Sequence, residues 1–241
     1  LDKYEERLPA NAKKRANRVR YGAFVETLDH HVGQLTTAID ELGLGNDTLL
    51  VFTADNGGHP EFAANGPLRG SKWNLYEGGI RVPFIVRWPG RVKAGSVSDE
   101  PVIGTDLFPT FVDVAGAKRD RKREIDGVSL ASLLGGGELG ERARPMVWHF
   151  PYYHPEKKFK DQLKEIGVND FAVSKTFPQS AIRVGDFKLV RFYEGGNGEL
   201  FNLESDIAEG TDLAKDKKAE AARLRQSLES YLKRVDARLP K

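Results

Sequence analysis

The sequence predicts an α/β protein: part of a layered sheet-and-helix domain, followed by a small antiparallel sheet with a closing helix. Three observations predict it. A long amphipathic helix leads into an apolar strand that runs directly into a polar, Gly-rich loop, the way open α/β sheets present site residues. A second apolar strand and a helix follow. Beyond residue 145 the texture changes to short strands joined by Gly-rich turns.

The elements follow in order. Residues 11–43 read as helix because Phe24, Leu28, Val32, Leu35, Ile39 and Leu42 recur at spacings of three and four, and Gly43 and Gly45 stop it. The run Thr48 to Thr53 is rich in strand formers and enters Asp55-Asn56-Gly57-Gly58. Residues 57–80 form a long loop with six glycines and two prolines, a length that is usually either functional or disordered. The run Val82 to Trp88 is a second buried strand, with Pro83 at its start, where the missing N–H is tolerated. Thr105 to Ala115 reads as a helix with Pro109 in its first turn. Strands are expected at Pro145 to Phe150, Ala181 to Val184, Phe187 to Tyr193 and Glu199 to Leu203, the last three as a meander. A helix over 216–235 closes the chain, with Ala222, Leu224, Leu228, Tyr231, Leu232 and Val235 as its apolar face. The Lys-rich segment 151–180 gives no clear pattern. The expected organisation is 1–117 as α/β layer, 118–144 as connector and 145–241 as the small subdomain. Two strands are too few for a doubly wound layer, so the sheet is expected to begin upstream of Leu1.

Composition narrows the function classes. Hydrophobic residues make up 39% and charged residues 30%, enough for a packed core. Lys plus Arg is 37 against 35 for Asp plus Glu, a net charge of +2 that points to no nucleic-acid partner. No apolar run approaches the roughly 20 residues of a membrane span. The 241 residues include no cysteine, which excludes disulfides, thiolate metal sites and a Cys nucleophile within them.

Three groups of residues carry chemistry. Asp55 and Asn56, at a strand end, offer two hard oxygen ligands suited to Ca²⁺ or Mg²⁺; the same tetrapeptide also makes an ordinary Asx turn. Arg69 and Lys72 sit in a Gly-containing loop and could clamp a tetrahedral anion, or stand as two solvated charges. Glu77 and Arg81 flank Gly78-Gly79-Ile80 and are spaced to pair and hold that loop. Near the small sheet, Trp148-His149-Phe150-Pro151-Tyr152-Tyr153-His154 mixes aromatics with imidazoles, a texture that suits sugar binding but equally sheet packing for Trp148 and a surface place for His154.

In order, Val51-Phe-Thr-Ala-Asp-Asn-Gly-Gly58, Pro67-Leu-Arg-Gly-Ser-Lys72, Leu75-Tyr-Glu-Gly-Gly-Ile-Arg-Val-Pro83, Trp88-Pro-Gly90, Thr105-Asp-Leu-Phe-Pro-Thr110, Asp126-Gly127, Ala181-Ile-Arg-Val-Gly-Asp-Phe-Lys-Leu189 and Glu199-Leu-Phe-Asn-Leu203 resemble the sulfatases that use formylglycine. The resemblance covers about residues 19 to 235 and corresponds to the C-terminal half of such an enzyme. It implies an alkaline-phosphatase-like fold and hydrolysis of sulfate esters, sulfated sugars among them. It implies Asp55 and Asn56 as ligands of a divalent cation, Ca²⁺ in most members, and Lys72 as the catalytic sulfate contact. His149 is a weaker substrate-contact candidate, because the C-terminal subdomain helps to shape the cleft. The family nucleophile starts a Cys/Ser-x-Pro/Ala-x-Arg motif, and no Ser here begins that pattern; Ser180-Ala-Ile-Arg183 has the wrong spacing. Formylglycine is therefore expected on an upstream segment, and the N-terminal half of the same enzyme as a partner. The resemblance points to a periplasmic or secreted location. Two rivals stand beside it: a phosphoesterase of the same superfamily, with an unmodified nucleophile and two metals, and a non-catalytic binding fragment.

Overall fold

The computed structural model describes residues 2–11, 15–60, 62–118, 120, 122–153, 178–196 and 198–240. His154 and most of the Lys-rich segment lie outside these residues. The elements are α1 (Asp2–Arg7), α2 (Arg15–Glu41), β1 (Leu50–Thr53), α3 (Glu77–Ile80), β2 (Phe84–Arg87), α4 (Leu107–Val114), α5 (Ala131–Leu134), β3 (Met146–Phe150), β4 (Gln179–Val184), β5 (Phe187–Phe192), β6 (Gly198–Asn202) and α6 (Lys218–Arg234). Every helix and strand read from the sequence is present, with ends shifted by a few residues. The short helices α1, α3 and α5 have too few residues to show a period, and the pattern missed them.

The chain forms two compact units. One comprises Leu1–Val32, Thr53–Pro83 and Val147–Lys241; the other comprises Gly33–Phe52 and Phe84–Met146. The boundary falls inside α2, so the units interleave along the sequence.

In the first unit, β3 to β6 form a sheet in the order β3-β4-β5-β6, with β4–β5 and β5–β6 antiparallel. The register places Ile182 opposite Leu189, and Leu189 opposite Leu200. Alternation along a strand then assigns neighbours to opposite faces. Ile182, Leu189 and Leu200 pack against Ala221, Leu224, Leu228 and Leu232 of α6. The other face carries Ala181, Val190 and Phe201, packed with Leu75 and Tyr76 of the long loop. Trp148 and Phe150 join that second cluster, the packing role expected for Trp148. The apolar face of α6 is corrected in two places. Ala221 is buried and Ala222 exposed, because Ala221, Leu224, Leu228 and Leu232 keep the helical period that Ala222 breaks. Val235 lies just past the last helical turn and is exposed.

The apolar stripe of α2 is present but uncovered among the described residues. Only Val19 of the helix is buried, while Phe24 is 68% exposed and Leu28 43%. Large apolar side chains spaced along one helix face are normally covered by another element.

In the second unit, β1 pairs with β2. Arg87 binds both carboxylate oxygens of Asp40 at 2.7 Å, and the Trp88 indole N–H donates to the Asn46 carbonyl at 2.8 Å. Asp106, fully buried, organises the rest. Its carboxylate accepts the Ile103 and Val128 amides at 2.9 Å and the Arg142 guanidinium. Thr110 Oγ1 donates to the Asp106 carbonyl and accepts the Leu130 amide at 2.8 Å. Residues 118–144, expected as a connector, thus contribute packed structure of their own, including buried Leu130 and the Arg142 bridge.

Leu228→Ala should lower unfolding free energy by about 2–5 kcal/mol, as expected for a fully buried leucine whose cavity only partly collapses. Denaturant unfolding of the variant measures it; a change below about 1 kcal/mol would show that α6 is not seated on the sheet.

Candidate functional site

Asp55 and Asn56 follow β1. Asp55 Oδ1 accepts the Asn56 backbone N–H at 3.0 Å and its side-chain amide N–H at 3.1 Å; both bonds are to the adjacent residue, whereas an Asx turn would bond Gly57, whose N–H goes to the Gly79 carbonyl. The Asn56 amide nitrogen also reaches the Gly57 carbonyl at 3.3 Å, which leaves its amide oxygen as the ligand-type atom. One carboxylate and one amide oxygen side by side are hard donors that fit a Ca²⁺ or Mg²⁺ ion. They form a partial set: no group of three or more His, Cys, Asp or Glu side chains suited to a metal occurs among the described residues.

The same loop is tied to Lys72. The Lys72 backbone N–H donates to the Gly58 carbonyl at 3.0 Å, two residues after Asn56. Asn65 bridges the two segments, accepting the Gly58 amide at 3.0 Å and donating to the Gly70 carbonyl at 3.0 Å. Gly57 donates to the Gly79 carbonyl at 2.8 Å, and a Cβ on Gly57 would lie 1.7 Å from the Gly78 carbonyl oxygen. Only backbone without side chains packs this closely, which explains the glycines at 57, 78 and 79. The structure therefore brings Asp55, Asn56 and Lys72 onto one interlocked group of loops. The Lys72 ammonium has no ion-pair partner among the described residues and lies 5.9 Å from the Trp73 ring centre.

A buried charge network fixes these loops to the second face of the sheet. Lys188, on β5, is fully buried; its Nζ donates to Glu77 Oε1 at 2.8 Å and lies 2.9 Å from Glu209 Oε1. Glu209 Oε2 accepts the Glu77 backbone N–H at 2.6 Å. Arg81 also reaches Glu77, at 3.6 Å, so the expected Glu77–Arg81 pair exists but is the lesser contact. Burial pushes the Glu209 carboxyl above the usual carboxylate range, against the pull of Lys188 and the Glu77 amide.

Arg69 belongs to this scaffold and is not a solvated charge. Its guanidinium lies 4.1 Å over the Tyr76 ring and donates to the Glu209 carbonyl at 3.0 Å. The Tyr76 hydroxyl donates to Glu199 Oε2 at 2.6 Å, and burial raises its pKa so that it remains a donor. Gln179 Oε1 accepts the Leu75 amide at 3.0 Å. Glu209, Lys188, Glu199 and Gln179 were missed as loop anchors. The one signal for Lys188 is a lysine between apolar strand residues, two positions from Val190 and hence on the same face.

His149, on β3, stands apart from this cluster. One ring nitrogen, Nδ1, meets Ser180 Oγ at 2.7 Å, and Nε2 meets the Arg238 carbonyl at 2.8 Å. A carbonyl only accepts, so Nε2 carries a proton. Both ring nitrogens are engaged within the chain, with Tyr193 extending the network through Ser180 at 2.9 Å.

The fold matches solved structures closely. The i-CgsB protein, solved in complex with k-i-k-neocarrahexaose, superposes with a TM-score of 0.73 at 28% identity, over 96% of this chain and 46% of its own. A second protein, solved with its substrate D-Glucosamine-2-N, 6-O-disulfate, gives a TM-score of 0.64 at 27% identity, over 87% of this chain and 39% of its own. The class they define with this chain is the α/β, alkaline-phosphatase-like fold. A Sulfatase family model matches residues 2–117, and an "N-sulphoglucosamine sulphohydrolase, C-terminal" model matches residues 71–238. The chain belongs to the sulfatase family and corresponds to its C-terminal part. A sulfatase of Formosa agariphila is 34% identical over 210 residues, which are 80% of this chain and 35% of that protein. The chain thus spans between about a third and a half of the length of these relatives.

Lys188→Met should cost about 3–5 kcal/mol of stability, because it leaves Glu77 and Glu209 buried without their cation. Glu209→Gln should cost clearly less, since it removes the surplus negative charge and keeps an acceptor for the Glu77 amide. Denaturant unfolding of both variants checks the order; equal losses would contradict a network governed by charge.

Proposed function

We propose that this chain supplies the sulfate-contacting cation and part of the divalent-metal site of an enzyme that hydrolyses sulfate esters of carbohydrates. The observation that carries the reading is Lys72: a cation without an ion-pair partner among the described residues, fixed through its own backbone to the loop of Asp55 and Asn56. In the proposed reaction the Lys72 ammonium binds a sulfate oxygen and offsets the negative charge that grows as the S–O ester bond breaks. Asp55 and Asn56 hold Ca²⁺, or Mg²⁺ in its place, whose chemistry is to neutralise and orient sulfate oxygens. The nucleophile, formylglycine by family resemblance, and the remaining metal ligands belong to an N-terminal segment of the same enzyme. That segment also covers the apolar stripe of α2. Residues 1–117 then belong to the catalytic α/β layer and 145–241 to the smaller subdomain, joined through 118–144. A periplasmic or secreted location accompanies this reading; no helix among the described residues is long and apolar enough to cross a membrane. His149 is left out of the substrate contacts, since both ring nitrogens are used within the chain.

In the full-length enzyme, Lys72→Ala should lower kcat/KM for a sulfated sugar by about 10²–10³ with little change in Tm, as expected for a charge-stabilising group in the transition state. Unaltered kinetics would remove Lys72 from the site. Faster turnover of the matching phosphate ester than of the sulfate ester would favour the phosphoesterase rival. In the same enzyme, Asp55→Ala should weaken Ca²⁺ binding at least tenfold by calorimetry, and an unchanged affinity would move the metal elsewhere.

A further inference from the structure

Lys72 and the Asp55–Asn56 pair lie on separate stretches of loop, and a single side chain reaches both. Asn65 Oδ1 accepts the Gly58 N–H at 3.0 Å, and Asn65 Nδ2 donates to the Gly70 carbonyl at 3.0 Å. The Lys72 N–H closes the ring by donating to the Gly58 carbonyl at 3.0 Å. Gly58, two residues beyond Asn56, is thus held at both of its backbone groups. Gly70, two residues before Lys72, is held at its carbonyl. Asn65 is itself anchored locally: its carbonyl accepts the Leu68 N–H at 2.9 Å, in the turn that leads towards Gly70.

The bridge needs an acceptor on one arm and a donor on the other, and a carboxamide carries both. An aspartate would turn a second oxygen towards the Gly70 carbonyl. The fit is close: a Cβ on Gly58 would lie 2.6 Å from Asn65 Oδ1. Both arms of Asn65 are spent on backbone, which marks a strut and not a substrate contact. The two ends of the strut differ in what else holds them. The Asp55–Asn56 end has a further tie, from the Gly57 N–H to the Gly79 carbonyl at 2.8 Å. At the Lys72 end, the Ser71 N–H meets Asn74 Oδ1 at 3.2 Å, a bond inside the same turn that sets no distance to Asp55 or Asn56. Without Asn65 the Lys72 stretch keeps its backbone bond to Gly58 but loses the strut that fixes Gly70 beside it. A group that stabilises developing charge loses most of its effect when it is misplaced by about 1 Å.

We propose that Asn65 is a positioning residue that sets the place of the Lys72 ammonium relative to Asp55 and Asn56, and so acts on the reaction through Lys72. This rests on the reading of Lys72 as the sulfate contact. The test compares the full-length enzyme with Asn65→Ala, Asn65→Asp, Lys72→Ala and the double variant Asn65→Ala/Lys72→Ala, on a sulfated monosaccharide well below Tm. Asn65→Ala should lower kcat about ten- to a hundredfold, the size expected of a misplaced group, with KM within about threefold. Asn65→Asp should lose about as much, because it keeps the Gly58 arm and loses the Gly70 arm. In the Lys72→Ala background, Asn65→Ala should cost less than about threefold more, since the group it positions is gone. Ca²⁺ affinity by calorimetry should stay within about threefold in Asn65→Ala, because the Gly57 tie still holds Asp55 and Asn56. A kcat within about twofold of wild type in both single variants would overturn the proposal. Losses that multiply in the double variant would also overturn it and leave Asn65 as a structural residue. Full activity in Asn65→Asp with tighter Ca²⁺ binding would overturn it in favour of a metal ligand. If Asn65→Ala does not fold, Asn65→Asp carries the same comparisons. If the wild-type enzyme turns over no sulfate ester, the sulfatase reading fails, and amide hydrogen exchange still decides the strut. A Lys72 N–H that exchanges roughly three- to tenfold faster in the variant, with the Leu189 N–H unchanged, supports it; equal protection overturns it.

Discussion

A lysine ammonium buried in a sheet must be met by carboxylates, and much of the first unit follows from that requirement. Lys188 has no solvent-accessible surface. An unpaired ammonium there would cost several kcal/mol, so its partners must be delivered to it. One arrives from the Glu77-Gly-Gly loop and the other from the segment after β6. The triad therefore joins segments more than 100 residues apart in sequence, 77 with 188 and 77 with 209.

This anchoring makes the loop of Lys72 a rigid part of the molecule despite its scant regular structure. Tyr76, Arg69 and Glu199 form a second tie beside the triad, and Gln179 a third through the Leu75 amide. From Glu77 the restraint passes through the close-packed glycines to Gly57 and the Asp-Asn pair. A site that stabilises developing charge needs donors already in place, and loops held to a sheet meet that need better than loops held by water.

The elements were legible in the sequence where a period could be counted. The helices 15–41 and 218–234 show a spacing near 3.6, and the six strands show as short runs of strand formers, most of them bounded by turn residues. Ala221 against Ala222 shows the limit of that reading: neighbouring alanines are indistinguishable in a pattern until Leu224 and Leu228 set the phase. Asp55, Asn56 and Lys72 stand out in the sequence as candidates through an ordered motif, not through local chemistry, which an Asx turn or a solvated charge explains equally well. Glu209 was not legible. Its role depends on a tertiary contact 132 residues from Glu77, and a glutamate in a polar segment carries no local mark of burial.

The two-faced sheet gives Lys188 one more consequence. Leu189 on one side and Lys188 on the other divide β5 between the helix α6 and the loop. If β5 slid by one position against its neighbours, the lysine would turn toward Leu224 and Leu228 and meet no counter-charge. An apolar residue at 188 would tolerate such a slip far better. The charge thus acts as a proofreader of strand pairing: a misaligned chain is penalised at once, before the loop of Glu77 has anywhere to dock.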